Sequence, residues 1–156
     1  MNRRVFVGAV LLLVAALLGV AVFGVLAWRS VSVLEMDASG ALHNFEAVRA
    51  RMSGPALVQR EASGGFVRRP AAKTTGPAPT RLHALAYYVN GQRLVQADVP
   101  MWFFKVKGPA LRYAVRDTGL DLDALNVTAT DLENAGAGVV LDETRSNGDR
   151  LLVWTE

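Results

Sequence analysis

Hydrophobic and polar positions divide this chain into three stretches of different character. From Val5 to Trp28 run about 24 residues of Val, Leu, Ala, Gly, Phe and one Trp without a charge. At about 1.5 Å rise per residue, such a helix crosses the roughly 30 Å hydrocarbon core of a bilayer with some tilt to spare. Residues 1–30 are therefore predicted as an N-terminal single transmembrane anchor, bounded by Arg3 and Arg4 on one side and by Trp28 and Arg29 on the other. A cleaved signal peptide is the rival reading, with small residues in Val25-Leu26-Ala27, but the apolar run exceeds a usual signal core. Two arginines and the amino terminus before the helix, against Arg29 close behind it, favour a cytoplasmic N-terminus. They place the remainder outside, in the periplasm or extracellular.

Residues 31–61 read as a juxtamembrane strand and helix. Ser30 to Asp37 alternates loosely. Leu42, Phe45, Val48, Arg49 and Met52 then fall at helical spacing from about Ala41 to Met52, before Ser53-Gly54-Pro55 stops the helix. Residues 62–80, rich in Gly, Pro, Ala, Thr and Arg without periodicity, read as a basic linker. Residues 81–156 carry the domain. Arg81 to Val89 alternates, with Leu82, Ala84, Ala86 and Tyr88 on one face. Asn90-Gly91 is a hairpin signal, and Gln92 to Val99 is the return strand. Helices are predicted over Met101–Lys107, from Pro109 to about Asp117, briefly over Asp121–Leu125, and after Thr128, where Asp131 completes a capping box. Strands Val139–Thr144 and Arg150–Thr155 close the chain around Asn147-Gly148. The order β-β-α-α-β-β predicts an α+β fold: an antiparallel sheet of two hairpins with helices on one face. Asn90-Gly91-Gln92-Arg93-Leu94-Val95 is echoed by Asn147-Gly148-Asp149-Arg150-Leu151-Leu152, as two hairpins with similar turns would require.

The run Val95–Pro100 into Trp102-Phe103-Phe104, Asp131-Leu132-Glu133 with Gly136 and Gly138, and the ending Leu152-Val153-Trp154-Thr155-Glu156 resemble uncharacterised bacterial membrane-anchored proteins. The resemblance covers roughly the last half of the chain and implies no activity and no functional residue.

Charge narrows the function classes. The net charge is +3, yet residues 29–80 hold seven basic and four acidic side chains while 81–156 hold eight and ten. The folded part is mildly acidic, so a nucleic-acid-binding surface is not expected. Without cysteine, the chain has no disulfide, thiolate metal site or Cys nucleophile. His43 and Glu46, three apart on a helix, form half a metal site with no further ligand nearby in sequence. Asp117, Asp121, Asp123 and Asp131 do not fit the calcium-loop pattern, and carboxylates at helix N-termini explain Asp121 and Asp131. His83 lies on a predicted strand with no nucleophile at a suitable spacing.

Trp102-Phe103-Phe104-Lys105-Val106-Lys107 is the most suggestive stretch. At 100° per residue three adjacent aromatics cannot share one helix face, so one is expected outside the core. Trp102, Phe103, Phe104, Lys105 and Lys107, with Arg68 and Arg69 of the linker, are the candidate contacts to the membrane interface or a partner. Core packing is the competing role for the aromatics; Trp102 and Trp154 are both expected inside. No catalytic, metal or cofactor residue is assigned. The leading functional expectation is a membrane-tethered, non-enzymatic interaction or accessory domain. Its partners would be the bilayer and a membrane or periplasmic protein. A small-ligand-binding or hydrolytic domain with a dispersed site is one alternative, and an accessory subunit of a larger membrane complex is another.

Overall fold

The computed structural model describes residues 31–52, 54–61, 65–70, 76–105, 118 and 125–156. The expected transmembrane helix at 1–30 and the expected helices at 109–117 and 121–124 lie outside them. Among the described residues, no helix is long and apolar enough to cross a membrane.

The strands are β1 (Val31–Glu35), β2 (Val58–Arg60), β3 (Phe66–Arg68), β4 (Arg81–Tyr88), β5 (Arg93–Pro100), β6 (Gly138–Thr144) and β7 (Arg150–Thr155). The helices are α1 (Ala38–Arg51), α2 (Met101–Lys105) and α3 (Ala129–Ala135). All strands join one seven-stranded sheet in the order β1-β5-β4-β7-β6-β2-β3. The two expected hairpins, β4–β5 and β6–β7, form its centre and pair directly through β4 and β7. The class is α+β, as the pattern of elements predicts, but the expected antiparallel sheet is mixed: β2 runs parallel to β6. The reason is α1. It carries the chain from the end of β1 back across the sheet, so that β2 starts at the end where β6 also starts.

That crossing also corrects the expectation of helices on one face. Ala41, Phe45 and Val48 of α1 pack on Leu85, Tyr87, Leu94, Leu152 and Trp154. On the opposite face Met101, Phe103, Phe104 and Leu132 cover Leu82, Ala84, Ala86, Val95 and Val153. Period-two alternation sends neighbouring residues of β4 and β7 to opposite faces, and here both faces are apolar. The helix stripe differs from expectation too. Leu42 is exposed and Ala41 takes its place, one position round the turn.

The sheet runs past the expected boundary at Arg81. Val31–Glu35 pairs with β5 along its whole length, and Phe66–Arg68, inside the stretch read as a linker, pairs with β2. Three-residue strands carry too little alternation to be seen in sequence.

The caps follow the sequence signals. The Asp37 side chain accepts the Gly40 N–H at 2.9 Å and opens α1. Thr128 and Asp131 form the expected reciprocal capping box of α3, and Gly136 closes it at φ 74°. The turn chemistry is less literal. The β4–β5 connection is a 3₁₀ turn over Val89–Gly91 with the left-handed residue at Gln92 (φ 45°), not a two-residue Asn-Gly turn. In the β6–β7 loop Gly148 takes φ 88°, where a Cβ would meet Val89 of the other hairpin at 3.2 Å. The Asp149 side chain accepts the Val89 N–H at 3.0 Å, so the echoed sequences sit side by side as two linked turns.

Candidate functional site

The registers define two ends of the sheet. At the near end lie the end of β5 and the start of β4, because Arg81 pairs with Pro100, and β1 begins three residues short of it, where Val31 pairs with Ala97. The end of β7 and the start of β6 share that end, since Leu82 and Gly138 both pair with Thr155, whereas Arg68 at the end of β3 pairs with Val58 and through it stands level with Leu141, midway along β6. The two hairpin turns mark the far end. The chain thus enters the sheet at the near end, and Trp28, the last residue of the apolar run, precedes Val31 by three positions.

Trp102 stands at this end, in the first turn of α2 directly after Pro100, and α2 is tied there by the Met101 N–H to Thr80 O at 2.9 Å. Sequence reasoning expects Trp102 in the core; it is 50% exposed, while Phe103 and Phe104 beside it are buried. Three consecutive helical positions cover 200°, more than the sheet can hide, and Met101 is buried as well, so Trp102 is the one turned out. Its ring meets Phe103 edge to face at 5.6 Å between centroids. Arg68 and Arg69, at the end of β3, are exposed on the sheet edge opposite β1. Arg68 pairs with Asp131 at 2.6 Å. Hydrogen bonds from the Thr128 hydroxyl and N–H, with Arg68 beside it, hold the Asp131 carboxyl below its usual range. Lys105 closes α2, and Lys107 lies outside the described residues. Of the sequence candidates, the sheet therefore leaves Trp102 exposed at the near end and Arg68 and Arg69 exposed at the β3 edge, and commits Phe103 and Phe104 to the core.

A second group at this end escaped the sequence reading as a group. On the α1 face, Asp98, His83 and Trp154 lie in one row across β5, β4 and β7. The His83 imidazole stacks on the Trp154 indole at 5.0 Å with an interplanar angle of 13°. Its Nδ1 lies 3.7 Å from Asp98 Oδ1 and its Nε2 lies 3.8 Å from Glu156 Oε2. Asp98 is held by Arg81 through two hydrogen bonds of 2.7 Å, which raise the guanidinium pKa further. Glu156 accepts the Trp154 indole N–H at 3.2 Å. Nε2 of His83 is buried and has no hydrogen-bond partner among the described residues. The only signal in the sequence is register: the three residues meet only once the strand order is known.

Burial pushes the His83 pKa below its ordinary value near 6.5, opposed by Asp98 and Glu156 and reinforced by Arg81 and Arg51. With the folded value lower, the unfolded chain binds the proton more tightly, so stability rises with pH across the interval between the two. The contribution is fully present above about pH 6.5, falls as pH drops below it, and levels off beneath the folded value. We expect denaturant titrations from pH 8 downward to show this loss before the carboxylates titrate near 4, and His83→Phe to remove it. An unchanged pH profile in that variant would show that His83 is not held neutral.

His43 and Glu46 both lie on the exposed side of α1. Compared with protein-family models, with curated proteins and with solved structures, the chain matches none.

Proposed function

We propose that this protein is a membrane-tethered interaction domain, an accessory or assembly factor that presents the free edge of β1 to a partner protein close to the membrane. The supporting observation is the contrast between the two sheet edges. The outer edge of β3 is three residues long, carries Arg68 and is followed by Arg69 and Pro70, devices that discourage strand addition. β1 is five residues, Val-Ser-Val-Leu-Glu, with no Lys, Arg or Pro. Val33 and Leu34 are 54% and 46% exposed on opposite faces. Among the described residues no strand pairs with its outer side. An extended segment of a partner can add there through main-chain hydrogen bonds, with apolar side chains matched to Val33 and Leu34. In this reading the run Val5–Trp28 is a retained anchor, the N-terminus is cytoplasmic and the sheet lies on the periplasmic or outer side.

The test is a photocrosslinking residue at Val33 or Leu34 in the full chain, irradiated in native membranes. A discrete protein adduct is expected at Val33, absent when the crosslinker sits at Asn90 in the far turn. Leu34→Lys should abolish the Val33 adduct by placing a charge on the edge. Release of the protein from membranes by alkaline washing would overturn the tether, and equal labelling from Val33 and Asn90 would overturn the docking edge.

The row of Asp98, His83 and Trp154 favours a second reading, a small-ligand-binding or hydrolytic domain. The Thr155 hydroxyl, the nearest in sequence, is bonded to Gly136 O at 2.8 Å on the other face. His83→Ala separates the readings, since the β1 adduct should survive it.

A further inference from the structure

We propose that Asn90, at the tip of the β4–β5 hairpin, is a site of spontaneous covalent modification, its amide converting to a carboxylate through a succinimide formed with Gly91. Asn147, in the same Asn-Gly dipeptide of the other hairpin, is closed to this chemistry by its hydrogen bonds. The site is independent of both the anchor and the β1 edge.

The reaction needs these two residues and water. The Gly91 amide nitrogen gives its proton to solvent base and attacks Asn90 Cγ. A new N–Cγ bond closes the ring, the Cγ–Nδ2 bond breaks, and ammonia leaves. Water then opens the ring at one of its carbonyls. Breaking the new N–Cγ bond leaves aspartate; breaking the bond from nitrogen to the main-chain carbonyl carbon leaves isoaspartate. Nothing is oxidised or reduced, and a neutral hairpin tip becomes anionic. Glycine is the favourable neighbour because no Cβ shields its nitrogen.

Both asparagines are exposed, so access to water does not separate them. Their hydrogen bonds do. Asn147 Nδ2 donates to Asp149 Oδ2 at 2.8 Å, and Asn147 Oδ1 accepts the Asp149 N–H at 3.1 Å. The attacking nitrogen is engaged there too, the Gly148 N–H donating to Arg145 O at 3.0 Å. Asp149 is itself buried and accepts the Val89 N–H, so this clamp is fastened to the neighbouring hairpin. The Asn90 carboxamide has no hydrogen bond among the described residues. It sits in a single 3₁₀ turn whose closing bond, Gln92 N–H to Val89 O, is long at 3.2 Å. A turn that short, at an exposed tip, opens at little cost.

The fold accounts for one glycine and not for the other. Gly148 takes φ 88°, and a Cβ there would press on Val89. Gly91 has no positive φ, because the left-handed position of its turn is Gln92. A Cβ at Gly91 would first meet the flexible Arg93 side chain, with Nε at 3.0 Å. Turn geometry therefore does not demand Asn90-Gly91. Arg93 also sets a cation beside Gly91, where it favours loss of the amide proton and the oxyanion that forms at Cγ.

The full chain in detergent micelles, incubated at mildly alkaline pH and then digested with trypsin, yields one peptide for each site, 82–93 and 146–150. The mass gained when an amide becomes an acid is followed in both over time. Two side-chain bonds, each worth a few-fold, should hold conversion of Asn147 at least about tenfold below that of Asn90. In urea the two rates should converge. Gly91→Ala should keep the parent's thermal midpoint and all but stop conversion at Asn90. Comparable rates in the folded chain, or no conversion at Asn90, overturn the proposal. A difference that persists in urea assigns the contrast to flanking sequence and overturns the clamp. Undiminished conversion in Gly91→Ala overturns the succinimide route.

Discussion

A chain beginning at Arg81 is expected to lose cooperative unfolding altogether, although it contains both hairpins and all four central strands. Without α1, the faces of Leu85, Tyr87, Leu94, Leu152 and Trp154 are open to water. Each such side chain contributes about 1.5–3 kcal/mol when fully buried, so the five together are comparable with the roughly 5–15 kcal/mol that holds a domain folded. The loss of β1 and β2 also turns β5 and β6 into new edges. A chain of residues 31–156 should instead unfold in one sigmoidal transition with a well-ordered near-ultraviolet spectrum. The 81–156 fragment is expected to bind hydrophobic dye and to unfold without a baseline. A sharp transition in the fragment would show that the α1 face is dispensable and that the domain begins at Arg81 after all.

The sequence carried the evidence for α1's role in a form that alternation alone does not decode. Alternation on β4 assigns Leu82, Ala84 and Ala86 to one face, and they are buried there. Leu85 and Tyr87 fall in the other phase and are equally apolar, as are Leu152 and Trp154 beside Leu151 and Val153. A strand apolar in both phases is buried on both sides, and that calls for helices on both faces. The local signals were stronger. Asp37, the Thr128–Asp131 box and Gly136 place helix ends because capping depends on neighbouring backbone groups alone. β2 and β3 were illegible for the opposite reason: three residues each, they become strands only through partners supplied by β6 and by one another.

The same division governs the candidate site. That one aromatic of Trp102-Phe103-Phe104 must leave the core follows from helical geometry, and the sequence does reveal it. Which one leaves depends on how α2 is rolled against Val99, Leu125 and Leu132, which only the packed structure fixes. Arg68 and Arg69 are legible as cations, but their place at the sheet edge opposite β1 depends on β3 pairing with β2. The His83 row is the extreme case, three residues on three strands that share nothing local in sequence.

Trp154→Ala is expected to cost about 3–5 kcal/mol, the usual range for truncating a buried Trp. Trp154 is 3% exposed, packs beneath α1 in phase with Leu152, and carries His83 on its ring face. Its indole N–H has a partner in Glu156, so truncation also strands that carboxylate contact. With a urea slope of about 2 kcal/mol/M, the midpoint of the 31–156 chain should fall by roughly 2 M. Trp102→Ala should behave differently, because half of its surface is already in water and its ring meets Phe103 edge to face. Aromatic pairs of that kind add about 0.5–1.5 kcal/mol, which sets the scale of its loss and keeps the midpoint shift below about 1 M. The comparison needs no membrane, so it tests the packing separately from any role of Trp102 at the bilayer. Equal losses from the two substitutions would place Trp102 in the core alongside Trp154, and the exposed ring at the near end would no longer be a candidate contact.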